Sequence, residues 1–295
     1  MPPAHNMMIY DPFDGWRFHD LASRSYGGPG IQLIELERER DLYDQYSMQY
    51  RSDGLLITGR AYLPREAGTH PVVIVNHGYL SPEVYETGMD TWRLAIPLAE
   101  AGYIVLTPDF RNYAGSDQGP NPFRLGYAID VMNLIEQLDS LPQASSNQVG
   151  VIGHSMGGEV SMWPMILSDE VDAVVLYASM SANAAQNWAH RMEQYPIQRD
   201  AMRALVIAYG TPDENPEGWA SVSPDSYLEE VSMPVMLHHG LLDNIVPSIW
   251  SRQLHESLAG VGVDSTLWEY PGGSHSLYGR DLDLMIERTL AFFAT

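Results

Sequence analysis

The chain has 295 residues, 45% of them hydrophobic, with a formal net charge of −22. All 16 basic residues are arginine and cysteine is absent, which removes phosphate-loop and Schiff-base lysines, a Ser–Lys dyad, disulfides, thiolate nucleophiles and cysteine zinc sites together. So acidic a surface repels phosphate backbones and anionic bilayers, so neither nucleic acid nor a membrane is expected as a partner. No run approaches the roughly 20 apolar residues of a spanning helix. The N-terminus, MPPAHNMMIYDPFDGW, has neither a basic start nor an apolar run, so no signal peptide is read there. A cytoplasmic location is the expectation, with secretion the alternative where a leader has been removed.

Residues 1–30 read as irregular, and IQLIELERER as an extended strand or arm at a sheet edge. YDQYSMQY and LLITGRAYL flank Ser52-Asp53-Gly54 and read as a β-hairpin. From there short β-branched runs alternate with helical stretches. PVVIVNHG, YIVLTPD, QVGVIG, VDAVVLYA, PVMLHHG and STLWEY are strands, and helices are expected over 91–102, 121–141, 156–167, 248–260 and 281–293. This alternation predicts a mostly parallel central sheet with right-handed crossovers and helices on both faces. Residues 43–295 are expected to form that domain, preceded by an N-terminal arm over 1–42. Residues 180–232 break the rhythm; a connection that long inside a compact domain is usually functional, here a helical lid.

Gly153-His154-Ser155-Met156-Gly157 matches G-x-S-x-G between a strand and a helix, the setting a nucleophile elbow requires. The competing reading is a glycine-rich turn with an inert serine. A serine hydroxyl needs a base, and the base an acid that holds its tautomer. In HHGLLDNIVP, Asp243 follows a strand; in EYPGGSHSLYG, His275 follows the last strand. Both lie at carboxyl ends of parallel strands, where sites in such sheets form. Asp264 and Asp281 are alternative acids outside such loops. Among the ten histidines, His77, His154, His238, His239 and His255 are rivals to His275, each in a place that fits a base less well. The Met156 N–H is the first oxyanion donor expected, and the Tyr79 N–H, or its hydroxyl, the second. HExxH is absent, and His238 and His239 alternate across a strand, so no metal is expected.

SDGLLITGRAYLP, VVIVNHGY, TPDFRNYAGS, GHSMGG, SPDSYLEEVSMPVMLHHGLLDNIVP and GGSHS, in that order, resemble the α/β-hydrolase fold. More narrowly they resemble the catalytic domain of the prolyl oligopeptidase family and its small esterase relatives. The resemblance runs from about Tyr43 to the C-terminus. It implies Ser155, Asp243 and His275 as the triad, with Tyr79 and Met156 as oxyanion donors. The large peptidases of that family carry an N-terminal β-propeller that the first 42 residues here are too few to build. The acidic pair that anchors the substrate amine in dipeptidyl members therefore has no counterpart among them.

A serine nucleophile points to ester, thioester or amide acyl transfer, with no cofactor. The expectation is a serine hydrolase acting on a small-molecule acyl substrate, a carboxylesterase in the first place. A peptidase of the same family acting on short peptides or aminoacyl amides is the alternative, and a catalytically silent binding module the third reading. Trp188 and Met192 are expected to line the acyl pocket beneath the insert, although aromatic and Met side chains at helical spacing serve equally as packing.

Overall fold

A computed structural model describes residues 11–294. A nine-stranded sheet runs through the molecule in the order β1-β2-β3-β5-β4-β6-β7-β8-β9. The strands are β1 (Gln32–Glu39), β2 (Tyr43–Ser52), β3 (Leu55–Pro64), β4 (His70–Asn76), β5 (Ile104–Pro108), β6 (Ala144–His154), β7 (Ala173–Tyr177), β8 (Val235–Gly240) and β9 (Ser265–Tyr270). The pairings from β5 through β4 to β9 are parallel, and β1, β2 and β3 add antiparallel strands on one side. This is the α/β-hydrolase arrangement.

Period-2 alternation explains why the central strands are apolar at nearly every position. In β4, Val72 and Ile74 face one core layer, while Val73 and Val75 face the other. β7 repeats the pattern, with Val174 and Leu176 on the first side and Val175 and Tyr177 on the second. α3 (Leu125–Ile135), α4 (Met156–Leu167) and α8 (Ile249–Gly260) cover the first face; α2 (Trp92–Glu100) and α9 (Gly279–Phe293) cover the second. Each such side chain withdrawn from water contributes about 1.5–3 kcal/mol.

The expected hairpin is β2–β3. Ser52 pairs with Leu55, leaving a two-residue loop in which Asp53 (φ 52°) and Gly54 (φ 83°) are both left-handed, the turn that matches strand twist. β1 is the sheet edge; two register shifts and a row of charged side chains blunt it against further pairing.

Two expectations change. Residues 1–10 of the expected N-terminal arm lie outside the described residues, but the rest of it is built into the body. A helix missed in the sequence, α1 (Phe18–Ser23), buries Leu21; Phe13 is also fully buried and stacks on Phe123 at 5.5 Å. Position 43 is therefore not a packing boundary. The helix expected over 121–141 is three pieces, a 3-10 turn at Pro122–Arg124, α3, and a second 3-10 turn at Leu138–Ser140. Its end has a local cause. The Gln137 side chain takes the Asn133 carbonyl at 2.6 Å, and the Gln137 N–H turns to the Leu134 carbonyl at 3.1 Å.

The insert between β7 and β8 contains α5 (Ala184–Gln194), α6 (Arg199–Tyr209), α7 (Pro216–Ser221) and a 3-10 stretch, Pro224–Glu230. Asn183 caps α5 through the Gln186 N–H at 3.0 Å, and Asn215 caps α7 through the Gly218 N–H at 3.0 Å. Among the described residues no helix is long and apolar enough to cross a membrane.

Candidate active site

β6 runs into α4 through Ser155, whose backbone has φ 54° and ψ −114°. A non-glycine residue there is strained, at a cost of about 1–3 kcal/mol, and the surroundings enforce it. The Ser155 N–H donates to the Tyr177 carbonyl at 2.9 Å. A Cβ on Gly153 would lie 2.2 Å from the Gly157 carbonyl oxygen, and one on Gly157 2.1 Å from that of Asn76. Both glycines are thus obligatory for strand and helix to meet at this angle, and the serine is lifted to the start of α4, where the Met156 N–H has no intrahelical partner.

The loops after β8 and β9 bring the two other predicted residues to this point. Ser155 Oγ lies 3.0 Å from His275 Nε2, and His275 Nδ1 lies 2.8 Å from Asp243 Oδ2. Asp243 is locked from four directions: its Oδ1 accepts the Ile245 and Val246 N–H groups at 2.8 and 2.9 Å, and its Oδ2 accepts from His275 and, at 3.1 Å, from His239 Nε2. Burial alone would raise its pKa. The hydrogen bonds from His239 and His275 and the charge of His275 outweigh that and hold it below the usual carboxylate range. Asp243 is therefore an anion placed to keep the proton of His275 on Nδ1, with Nε2 facing the Ser155 hydroxyl. Of the alternative bases, His239 enters this contact, through Asp243 and not through Ser155.

Sequence reasoning weighed His239 only as a rival base and missed its contact with Asp243. His239 Nδ1 lies 2.7 Å from Ser251 Oγ on α8, so the ring braces Asp243 from behind. The signal was strand alternation, which turns His238 the other way, toward the Tyr270 hydroxyl at 2.9 Å. It also passed over Asp90. Asp90 Oδ2 accepts the Gly78 N–H at 2.6 Å and contacts His154 Nδ1 at 2.9 Å, while His154 Nε2 lies 3.3 Å from the His275 carbonyl oxygen. One carboxylate thus ties the loop after β4, the elbow and the His275 loop together. Both ring nitrogens of His154 are thus engaged by groups other than the Ser155 hydroxyl. Beneath the β4 loop, buried His77 stacks between Tyr85 and Phe110, and its ring nitrogens face the Gly78 and Asp109 carbonyl oxygens at 2.8 and 3.0 Å. Tyr79, two residues further on, stands half-exposed beside Met156 at the rim of a cavity.

That cavity, of about 220 Å3, runs from Tyr79 and Met156 under the insert. Ala184, Asn187, Trp188 and Arg191 line it from α5, a stripe at i, i+3, i+4 and i+7. Of the two expected pocket residues Trp188 is there. Met192 falls at the edge of that stripe and does not line the cavity; Met202 of α6 does. Arg124, paired with Glu159 in the first turn of α4, also lines it. Phe123 (φ 52°) and Arg124 (φ 61°) are consecutive left-handed residues, a strained turn that aims Arg124 at the elbow helix.

With this geometry in view, comparisons with known proteins place the chain. The family model for the prolyl oligopeptidase family matches residues 89–295. An uncharacterized peptidase, YtmA, of Bacillus subtilis is 24% identical over 78% of this chain and 85% of its own. Dipeptidyl-peptidase 5 of Porphyromonas gingivalis is 22% identical, and this chain spans 32% of its length. Acetyl xylan esterase 1 of Thermoanaerobacterium sp. superposes with a TM-score of 0.71 at 19% identity, covering 89% of this chain and 88% of that one. An acylaminoacyl peptidase of Pyrococcus horikoshii superposes with a TM-score of 0.69 at 21% identity, covering 87% of this chain and 42% of that one. These likenesses to solved structures support the fold, and the family match the class: the chain belongs to the prolyl oligopeptidase family and is a serine hydrolase.

Proposed function

We propose that the protein hydrolyses carboxylic esters of small acyl groups through an acyl-enzyme on Ser155. The observation that carries this reading is the continuous relay from Ser155 Oγ through His275 to Asp243, whose carboxylate is buried and accepts four hydrogen bonds. Ser155 Oγ attacks the ester carbonyl as His275 Nε2 takes its proton. The carbonyl π electrons move to oxygen, and the oxyanion is met by the Met156 and Tyr79 N–H groups and the positive end of α4. Collapse breaks the bond to the leaving oxygen, which takes the proton from His275. Water then repeats the sequence on the acyl-enzyme and frees the acid.

A short-peptide or aminoacyl-amide substrate is the second reading, favoured by the relatives whose names are peptidases. A panel of 4-nitrophenyl esters and aminoacyl 4-nitroanilides, with Ser155→Ala as blank, separates the two. Ester turnover that the blank lacks, together with fluorophosphonate labelling of Ser155, is the expected result. Anilide turnover without ester turnover makes the peptidase reading the correct one; no labelling and no turnover leave a binding module.

A further inference from the structure

The cavity beneath the insert has a charge that its surroundings do not explain. In a chain of net charge −22, the charged residues that line it, among the described residues, are Arg124, Arg191 and Glu159. Glu159 is taken by Arg124. Arg191 donates through Nε to the neutral Gln198 Oε1 at 2.7 Å, and among the described residues it has no carboxylate within ion-pair reach. Two guanidinium groups against one carboxylate leave one positive charge in excess, lining a partly open cleft. Desolvation and the neighbouring Arg124 both press the Arg191 pKa downward, to about 9, which still leaves it charged at neutral pH. Arg111 shows what this chain does with a guanidinium that has no ligand to meet: it is buried and bonded to Asp130 by both Nε and Nη2, at 3.1 and 2.8 Å.

The position of the cavity says which half of a substrate it takes. A leaving group must lie against His275 Nε2 to receive its proton, and the acyl portion then extends on the oxyanion side. The cavity is lined by Tyr79 and Met156 and by no residue of the His275 loop. Its volume of about 220 Å3 equals roughly seven water molecules at ~30 Å3 each, room for a short chain and a terminal group.

We propose that the acyl group this enzyme accepts carries a carboxylate, as in a half-ester of a short dicarboxylic acid, docked on Arg191 with Arg124 behind it. The inference rests on the serine-hydrolase reading of Ser155 and adds the substrate class. A planar guanidinium fork suits a carboxylate. The same cations oppose the ammonium group of an unblocked aminoacyl substrate, so the proposal also favours the esterase reading over an aminopeptidase.

The test compares mono-4-nitrophenyl adipate with 4-nitrophenyl hexanoate on the wild-type protein, Arg191→Gln and Arg191→Lys. A charge-assisted hydrogen bond predicts that the wild-type ratio of kcat/KM, adipate over hexanoate, is about 10- to 100-fold above that of Arg191→Gln, with Arg191→Lys between them. A ratio unchanged by Arg191→Gln overturns the proposal. Should neither ester turn over, the catalytic reading of Ser155 fails separately. Calorimetric titration of adipate then decides: saturable binding lost in Arg191→Gln upholds the anion site, and absence of binding to the wild type overturns it.

Discussion

Two regions meet at Ser155 and are built differently. The loops at the carboxyl ends of β4, β6, β8 and β9 hold the groups that would react, and each is fixed by several bonds. Asp243 accepts four hydrogen bonds, and Asp90 bridges Gly78 and His154. The insert between β7 and β8 supplies cavity wall; buried Asn187 is fixed there by two bonds to Ser181, but the two larger side chains are held more lightly, Arg191 by one bond to Gln198 and Trp188 by one to the Met202 carbonyl at 3.3 Å. Reacting atoms must be placed within fractions of an ångström, which a sheet edge provides. A wall that selects among acyl groups tolerates looser support. Changes in the first region should therefore lower kcat for every substrate, and changes in the second should reorder substrates.

The largest effect is expected from Asp243→Asn. The backbone amides of Ile245 and Val246 both donate to Oδ1, so the asparagine carbonyl must take that place. Its NH2 group then occupies the Oδ2 position, facing His275 Nδ1 and His239 Nε2. Two donors cannot share that contact, and His275 turns to the tautomer with its proton on Nε2, useless as a base toward Ser155. A fall in kcat of about 10⁴-fold on all esters is expected from such tautomer trapping, measured beside an unchanged circular-dichroism spectrum. A fall confined to some acyl groups would break the division between the regions.

Asp90→Asn tests whether the sheet-borne loops act as one unit. Burial lowers the His154 pKa, but the charge and hydrogen bond of Asp90 more than reverse this, and the net shift is upward. Asp90 is pushed up by burial and held down more strongly by His154 and the Gly78 N–H, to below the usual carboxylate range. The His154 contribution is complete below its unfolded pKa of about 6.5 and is lost as pH rises through its higher folded value; the Asp90 contribution is lost as pH falls below about 4. The wild type should therefore exceed Asp90→Asn in stability by about 1–3 kcal/mol near pH 5–6, with the gap closing toward both extremes. Denaturant melts across pH 3–9 measure it. A gap that does not vary with pH would mean the pair carries no ionic linkage.

The same division governs what could be read from the chain alone. Ser155, Asp243 and His275 were legible because each follows a β-branched strand and turn chemistry places it at one sheet edge. His239 and Asp90 were harder: their partners come from α8, the β4 loop and the elbow, which only the packed sheet brings near. Phe13 and Leu21 sit among prolines and glycines that read as irregular chain, yet both are fully buried. Arg191 was unreadable, because a lone arginine on an amphipathic helix means nothing until the fold shows that Glu159 already belongs to Arg124.

Trp188→Ala probes the insert with the smallest expected change. The indole edges against Trp219 at 6.0 Å, and its ring walls the cavity beside Ala184 and Met202. Removing it deepens the space without touching the relay from Ser155 to Asp243. Acyl groups of two to four carbons lose a contact surface, while those of six to eight gain room. One or two methylene contacts are worth about 1–3 kcal/mol in such pockets, so kcat/KM on short esters should fall about tenfold and the optimum move to longer chains. Rates on a 4-nitrophenyl ester series read this directly. A uniform loss of kcat at every chain length would instead show that Trp188 helps to place the reacting atoms. The insert would then belong with the sheet-borne loops, and selectivity and chemistry would not be separable in this molecule.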